Sequence, residues 1–228
     1  EYIMELQEQT LNVLKNFSDI NPNILINEGN TIKTISEAKN VLATATVDNK
    51  FAQKFGIYDL KEFIGVLSLV DQPNLNFTDE SVTISDQTGR SKVRYFFSPE
   101  ETLTSPQKDI NMPECEVQFD LDANTLTKLR NAASTLGHNE VSVTPGDGVL
   151  VLSVVDNENA TSNAYSIDVP YSNKTDQDFK FVLNISNLKI IQGDYEVSIS
   201  SKLISEFRNK EVNVKYWIAL EKTSTFGV

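Results

Sequence analysis

Residues 121–134 read Leu-Asp-Ala-Asn-Thr-Leu-Thr-Lys-Leu-Arg-Asn-Ala-Ala-Ser. Asp122 suits a helix N-cap, because its carboxylate can accept from the N–H groups that a first helical turn leaves unpaired. Behind it, Leu126, Leu129, Ala133 and Leu136 recur at helical spacing, with Asn124, Lys128 and Asn131 on the opposite side. The stretch therefore predicts an amphipathic helix with one buried face. A strand over 117–121 runs straight into it. After it, residues 140–144 and 149–155 flank Pro-Gly-Asp-Gly and predict a hairpin. Residues 165–169 predict a further strand. Residues 179–184 predict a strand leading into a short helix over 186–190, and strands over 195–200 and 212–220 close the chain.

The same order of elements stands in the first half. A helix is predicted over 6–17, with Leu6, Thr10, Leu14 and Phe17 inward and Glu8, Asn12 and Lys15 outward. A hairpin with a Gly turn follows over 24–35, then strands over 41–47 and 55–58. Asp59 caps a helix over 60–70 whose stripe is Leu60, Phe63, Ile64 and Leu67. Strands over 75–77, 82–85 and 92–97 end the half. Short echoes support a repeat: TLNVLKN at 10–16 against TLTKLRN at 125–131, GIYDLKEF at 56–63 against VLNISNLKI at 182–190, and VRYFFS at 93–98 against VKYWIAL at 214–220. Between the halves, Pro99, Pro106 and Pro113 punctuate a polar stretch, which predicts a linker. The expected organisation is a domain over 4–97, a linker over 98–116 and a domain over 117–228.

With 228 residues, 39% of them apolar, the chain can bury a core in each half. One Cys and one His exclude a disulfide framework and a zinc site built from several Cys and His ligands. No run of 18 apolar residues predicts a membrane span, and no basic-then-apolar leader opens the chain. The hydrolase, zincin, P-loop and dinucleotide motifs are absent. His138, in Gly-His-Asn after a helix, reads as a C-terminal cap, and Cys115 as a small half-buried residue. The acidic pairs Asp79-Glu80, Glu100-Glu101 and Asp176/Asp178 fall in polar loops and read as solvated charges. No catalytic residue, metal ligand or cofactor is expected.

Charge is the remaining signal. Twenty Lys and Arg face 32 Asp and Glu, a net charge of −12, which taken alone argues against a protein that grips nucleic acid. Its placement reads differently. Lys15, Lys61, Lys128, Arg130 and Lys189 all fall on predicted helices, while much of the acid falls in turns and loops. Lysines on a helix's wet face are ordinary. A surface segregated by charge is the alternative, and it permits local attraction for phosphate within an acidic protein.

Five stretches, MELQEQTLNVLKNF from Met4, YDLKEFIGVLSLV from Tyr58, LDANTLTKLRNAAS from Leu121, NISNLKIIQGDYEV from Asn184 and YWIALEKTSTF from Tyr216, span nearly the whole chain. In order and spacing they resemble the sliding clamps, the DNA polymerase processivity factors of tailed bacteriophages. Met4 aligns with the family's first residue, so the resemblance sets Glu1, Tyr2 and Ile3 ahead of the clamp proper. It implies an α+β clamp fold, with two similar domains per chain and helices on one face of curved antiparallel sheets. Three chains would join head to tail into a ring around duplex DNA. The function implied is a non-enzymatic clamp that tethers the replicative DNA polymerase. It binds DNA without regard to sequence, is opened by an ATP-driven clamp loader, and works in the cytoplasm of the infected bacterial host with no membrane contact.

By the same resemblance Lys15, Lys61, Lys128, Arg130 and Lys189 would face DNA, although the apolar second helix argues for packing that keeps Lys61 from direct contact. Val41, Ile110, Met112, Ala219 and Leu220 would line a pocket for client peptides. The strands KVRYFF and AYSIDV would form subunit contacts through Tyr95, Phe97, Tyr165 and Ile167. A structural virion protein, acidic, oligomeric and β-rich without a DNA role, is the alternative that composition leaves open. A small-ligand enzyme domain lacks the chemistry.

Overall fold

In the computed structural model, which describes residues 2–228, the chain divides into two compact units, the first running to Lys108 and the second spanning 109–228. The first comprises β1 (Tyr2–Glu5), α1 (Glu8–Ile20), β2 (Ile24–Ile26), β3 (Gly29–Ile35), β4 (Val41–Phe51), β5 (Phe55–Ile57), α2 (Leu60–Leu67), β6 (Asn74–Phe77), β7 (Ser81–Ser85) and β8 (Lys92–Phe96). An antiparallel sheet runs β1-β6-β7-β8, β3 and β4 form a hairpin, and β2 pairs with β5. The core is built from Val13, Leu14 and Phe17 of α1, Leu60, Phe63 and Leu67 of α2, and the inward residues of the strands, including Leu75, Phe77, Val82 and Ile84. α1 packs on both β4 and α2. Residues 2 and 3, expected to precede the clamp proper, belong to this sheet: Tyr2 pairs with Phe77 and stacks on its ring at 4.5 Å between centroids.

The second unit comprises β9 (Val117–Leu121), α3 (Ala123–Leu136), β10 (Glu140–Pro145), β11 (Leu150–Val155), β12 (Tyr165–Val169), β13 (Tyr171–Asn173), β14 (Phe179–Asn184), β15 (Tyr195–Ser200), β16 (Ile204–Asn209), β17 (Val214–Ala219) and β18 (Thr225–Phe226). Five strands run β12-β11-β10-β14-β18 and another five run β13-β9-β15-β16-β17. α3 lies against β11. Its start is fixed as the sequence predicts, with Asp122 Oδ1 accepting from Thr125 N at 2.7 Å. Its end turns at Gly137, whose φ of +69° is a left-handed conformation that glycine adopts without the Cβ clash.

The helix expected over 186–190 is a single 3₁₀ turn, Ile185–Asn187. Side chains from outside take over the backbone groups that a helix would have paired internally. Arg130 reaches the carbonyls of Leu188 and Ile190 at 2.6 and 3.2 Å. The Tyr216 hydroxyl accepts from Ile191 N at 3.1 Å, and the Tyr195 hydroxyl donates to Ile191 O.

The proline-rich stretch is anchored at both ends. Ser98 N donates to Gly56 O at 2.9 Å, and Glu100–Thr102 form a 3₁₀ turn held by the Lys54–Glu100 ion pair. Asn21 Nδ2 donates to Thr104 O at 2.8 Å, and Asn23 Oδ1 accepts from Thr104 N at 3.1 Å. Gly56 permits this docking, since a Cβ there would lie 2.7 Å from the Ser98 carbonyl oxygen. At the far end Glu116 binds Ser201 in the second unit. Among the described residues no helix is long and apolar enough to cross a membrane.

Candidate functional site

The helix surfaces carry the cations unevenly. Lys15 is exposed on α1. Lys61, exposed at the start of α2, is 3.2 Å from Asp19 of α1. That exposed ion pair contributes little to stability, about 0–1 kcal/mol, but the Asp19 carboxylate offsets the charge Lys61 offers to an outside anion. Lys128 stands exposed on α3, and Lys189 is exposed just beyond the 3₁₀ turn. Arg130 does not share this disposition. Its guanidinium is spent on Gln192 Oε1 at 3.1 Å and on the two loop carbonyls, and burial lowers its pKa from the ordinary arginine value. The expectation that Arg130 faces DNA is corrected on that ground: two positions beyond Lys128, it turns toward the loop and holds it. Gln192 completes the fastening, its Nε2 donating to Ala123 O at 3.0 Å and to Thr127 Oγ1 at 2.7 Å.

Two edge strands stand out. β8 ends the sheet of the first unit and β12 ends one sheet of the second, each leaving a row of backbone groups unpaired within its sheet. Tyr95 of β8 and Phe97 just after it, expected at a subunit contact, pack within their own unit. Tyr95 packs on Phe63 and donates to Glu62 Oε1 at 3.1 Å, and burial with the Glu62 carboxylate beside it pushes the phenol's pKa up. Phe97 packs on Phe55 and Phe77. The aromatic that faces solvent is Phe96, 60% exposed, with the Arg94 guanidinium 4.7 Å above its ring. Tyr165 and Ile167 of β12 are half-exposed, as a strand with one free edge requires. The two edges differ in charge. Lys92 and Arg94 lie on β8 and Arg90 in the turn before it, whereas Asp168 lies on β12 and Asp156 and Glu158 in the loop before it.

The expected pocket residues separate by burial. Ile110, Met112 and Ala219 are half-exposed, but Val41 is 4% exposed and Leu220 6%. These two are core residues with no side chain on offer at the surface, because each begins or follows a strand whose alternation turns it inward. Sequence reasoning missed Leu203. It sits in the turn between β15 and β16 at φ +67°, a left-handed conformation rare for a bulky side chain. It is 37% exposed, and its carbonyl accepts from Leu220 N at 3.0 Å. The only signal in the sequence was a three-residue connection with an apolar residue where glycine is usual.

His138 sits beside the α3 terminus, where its N–H donates to Ala133 O at 3.0 Å and its Nε2 lies 2.6 Å from Asn163 O. Cys115 is half-buried, and burial with the carboxylates of Glu116 and Glu206 raises its thiol pKa. Among the described residues no three His, Cys, Asp or Glu side chains are grouped to hold a metal.

Comparison with known proteins accounts for this arrangement. Residues 7–102 match the family described as DNA polymerase processivity factor, and residues 118–222 the family described as gp45 sliding clamp, C terminal. The sliding clamp of Vibrio phage KVP40 is 30% identical over 223 residues, covering 96% of this chain and 99% of the relative. That of Escherichia phage RB69 is 31% identical, covering 97% and 99%. Among solved structures, the Helicobacter pylori β clamp superposes with a TM-score of 0.71 at 8% identity, over 96% of this chain and 66% of that one. Proliferating cellular nuclear antigen from Entamoeba histolytica gives 0.67 at 12% identity, over 93% and 95%. These structures show the α+β clamp fold with two similar domains, and the relatives show more: the chain belongs to the phage sliding clamps, the processivity factors of DNA polymerase.

Proposed function

We propose that this chain assembles head to tail into a homotrimeric ring that encircles duplex DNA and holds the phage polymerase on its template, without catalysing a reaction itself. The observation that carries the reading is the contrast in charge between two of its sheet edges, β8 and β12. Heterologous association of β8 with β12 of the next copy would close a ring, and the basic edge faces an acidic one. The helices would line the hole, with Lys15, Lys61, Lys128 and Lys189 toward the phosphates. Four modest cations per chain suit a ring that must slide, since each phosphate neutralised deepens affinity and salt dependence. No base-reading constellation is needed, because backbone contacts carry no sequence information. Topology, rather than attraction, keeps the ring on DNA. An ATP-driven loader opens it, in the cytoplasm of the infected bacterium.

The client site is formed by Ile110, Met112 and Ala219 together with Leu203. Exposed apolar residues in otherwise polar segments support this. Membership of the clamp family sets aside the alternative of a structural virion protein.

Light scattering and retention assays test the reading. The native mass should equal three chains, and loaded rings should remain on circular DNA and leave within seconds of its linearisation. A mass of one chain at all concentrations, or equal loss from circles and linear duplex, overturns it.

A further inference from the structure

The strands β15 and β16 are joined by Ser201, Lys202 and Leu203, with Ser200 opposite Ile204. Leu203 N donates back to Ser200 O at 3.1 Å and Lys202 N to Ser200 Oγ at 3.2 Å. These bonds close the turn but do not restrain Ser201. That restraint comes from Glu116, 85 residues earlier, whose carboxylate accepts Ser201 N at 2.7 Å and Ser201 Oγ at 2.5 Å. Both carboxylate oxygens are used, one per donor, and charge-assisted bonds of this kind are the stronger class. Glu116 is also the residue at which the stretch carrying Ile110 and Met112 enters β9. One side chain therefore ties the end of that stretch to the turn presenting Leu203. On the far side, Leu220 N holds the Leu203 carbonyl.

We infer that Glu116 is a positioning residue for client docking, resting on the client site proposed above. It touches no client. It holds the strained Leu203 turn and the end of the 110–116 stretch in one arrangement before a client arrives. Without it the leucine can leave its left-handed conformation and the stretch loses its tether. Apparent affinity then falls by the fraction of molecules still arranged to bind, and ordering the rest adds to the cost of association.

The test is binding of the phage's own DNA polymerase to the assembled clamp, measured by titration alongside sedimentation of the clamp. Glu116→Ala should weaken polymerase binding about tenfold with sedimentation unchanged. Ser201→Ala, which deletes one donor and leaves the backbone bond, should weaken it about threefold. The double variant should be no weaker than Glu116→Ala alone, since both remove one coupled contact. Glu116→Gln, which retains one acceptor, should recover part of the loss. Amide exchange at Ser201 should quicken in Glu116→Ala, reporting that the latch has opened. Polymerase affinity unchanged while that exchange quickens overturns the inference. Should Glu116→Ala fail to assemble, Ser201→Ala decides, and an unchanged affinity in it overturns the inference too. Leu203→Ser separates the two readings. If it abolishes binding while Glu116→Ala does nothing, the latch falls and the client site stands. If Leu203→Ser is itself silent, the client site falls and the latch with it.

Discussion

Leucine at φ +67° is held against its preference: a left-handed conformation costs an L-residue with a Cβ about 1–2 kcal/mol. Glycine at Leu203 would remove that cost and add about 0.5–1 kcal/mol of backbone entropy to the unfolded chain. The two terms nearly cancel, with a small margin for glycine. Leu203 is 37% exposed, so loss of its covered apolar surface, about 1–2 kcal/mol, opposes the change. Leu203→Gly should therefore lower the melting temperature only slightly in calorimetry, while polymerase affinity falls about tenfold for the lost apolar contact. A drop of several degrees would mean the side chain serves the fold. A leucine held in a left-handed conformation is the pattern expected of a residue retained for contact, since strain of this kind collects at functional positions.

The three α-helices were legible from their apolar stripes, although α1 runs Glu8–Ile20 without a side-chain cap where 6–17 was expected, and α2 ends at Leu67 where 70 was expected. α3 has a capping Asp122, an apolar stripe and a C-terminal glycine, and the structure begins and ends it there. Elements failed to show where their inward residues are polar or where contrast is missing. β16 was not recognised because it buries Ser205 and Asn209 on either side of Phe207, which breaks the apolar alternation; Ser205 Oγ is satisfied by Ile218 O at 2.7 Å. β8 was recognised but its faces were not, since Tyr95, Phe96 and Phe97 are aromatic in succession and no polar residue marks the wet side. The Ile185–Asn187 turn failed differently: the side chains that replace its helix come from residues as distant as Arg130 and Tyr216, and single-sequence periodicity carries no trace of them. Of the lysines proposed to face DNA, Lys15, Lys61 and Lys128 were legible as helix positions, whereas Lys189 lies beyond the Ile185–Asn187 turn and the diversion of Arg130 was not legible. That diversion has a measurable consequence. Arg130→Gln removes charge-assisted bonds to two carbonyls and should destabilise the second unit by about 2 kcal/mol. Amide exchange should rise at Ile190 to Gln192 first, detectable by mass spectrometry. A uniform rise across the unit, or none, would place the arginine outside this role.

A net charge of −12 is shared evenly, with 10 basic and 16 acidic residues in each of 1–110 and 111–228. Neither half could hold DNA by overall attraction, so what matters at the scale of the molecule is where opposite charges can meet. In the proposed head-to-tail ring the basic β8 edge would meet the acidic β12 edge at every joint, and an acidic exterior would keep separate rings apart. Arg94 is engaged with Ser81 and Phe96, which leaves Arg90 and Lys92 to face Asp156, Glu158 and Asp168. Exposed pairs contribute about 0.2–1 kcal/mol each, so two or three make about 1–2 kcal/mol per joint, roughly a tenfold change in the constant for each contact. Such pairs weaken as the screening length falls from about 10 Å at 0.1 M salt to about 3 Å at 1 M. The ring should accordingly dissociate at lower dilution in 0.5 M than in 0.05 M salt when followed by sedimentation. Arg90→Glu with Lys92→Glu should reproduce that loss at low salt, and adding Asp156→Lys with Glu158→Lys should restore assembly. A joint held by apolar burial and backbone pairing alone would show neither the salt dependence nor the rescue, because neither of those interactions depends on the sign of the surrounding charge.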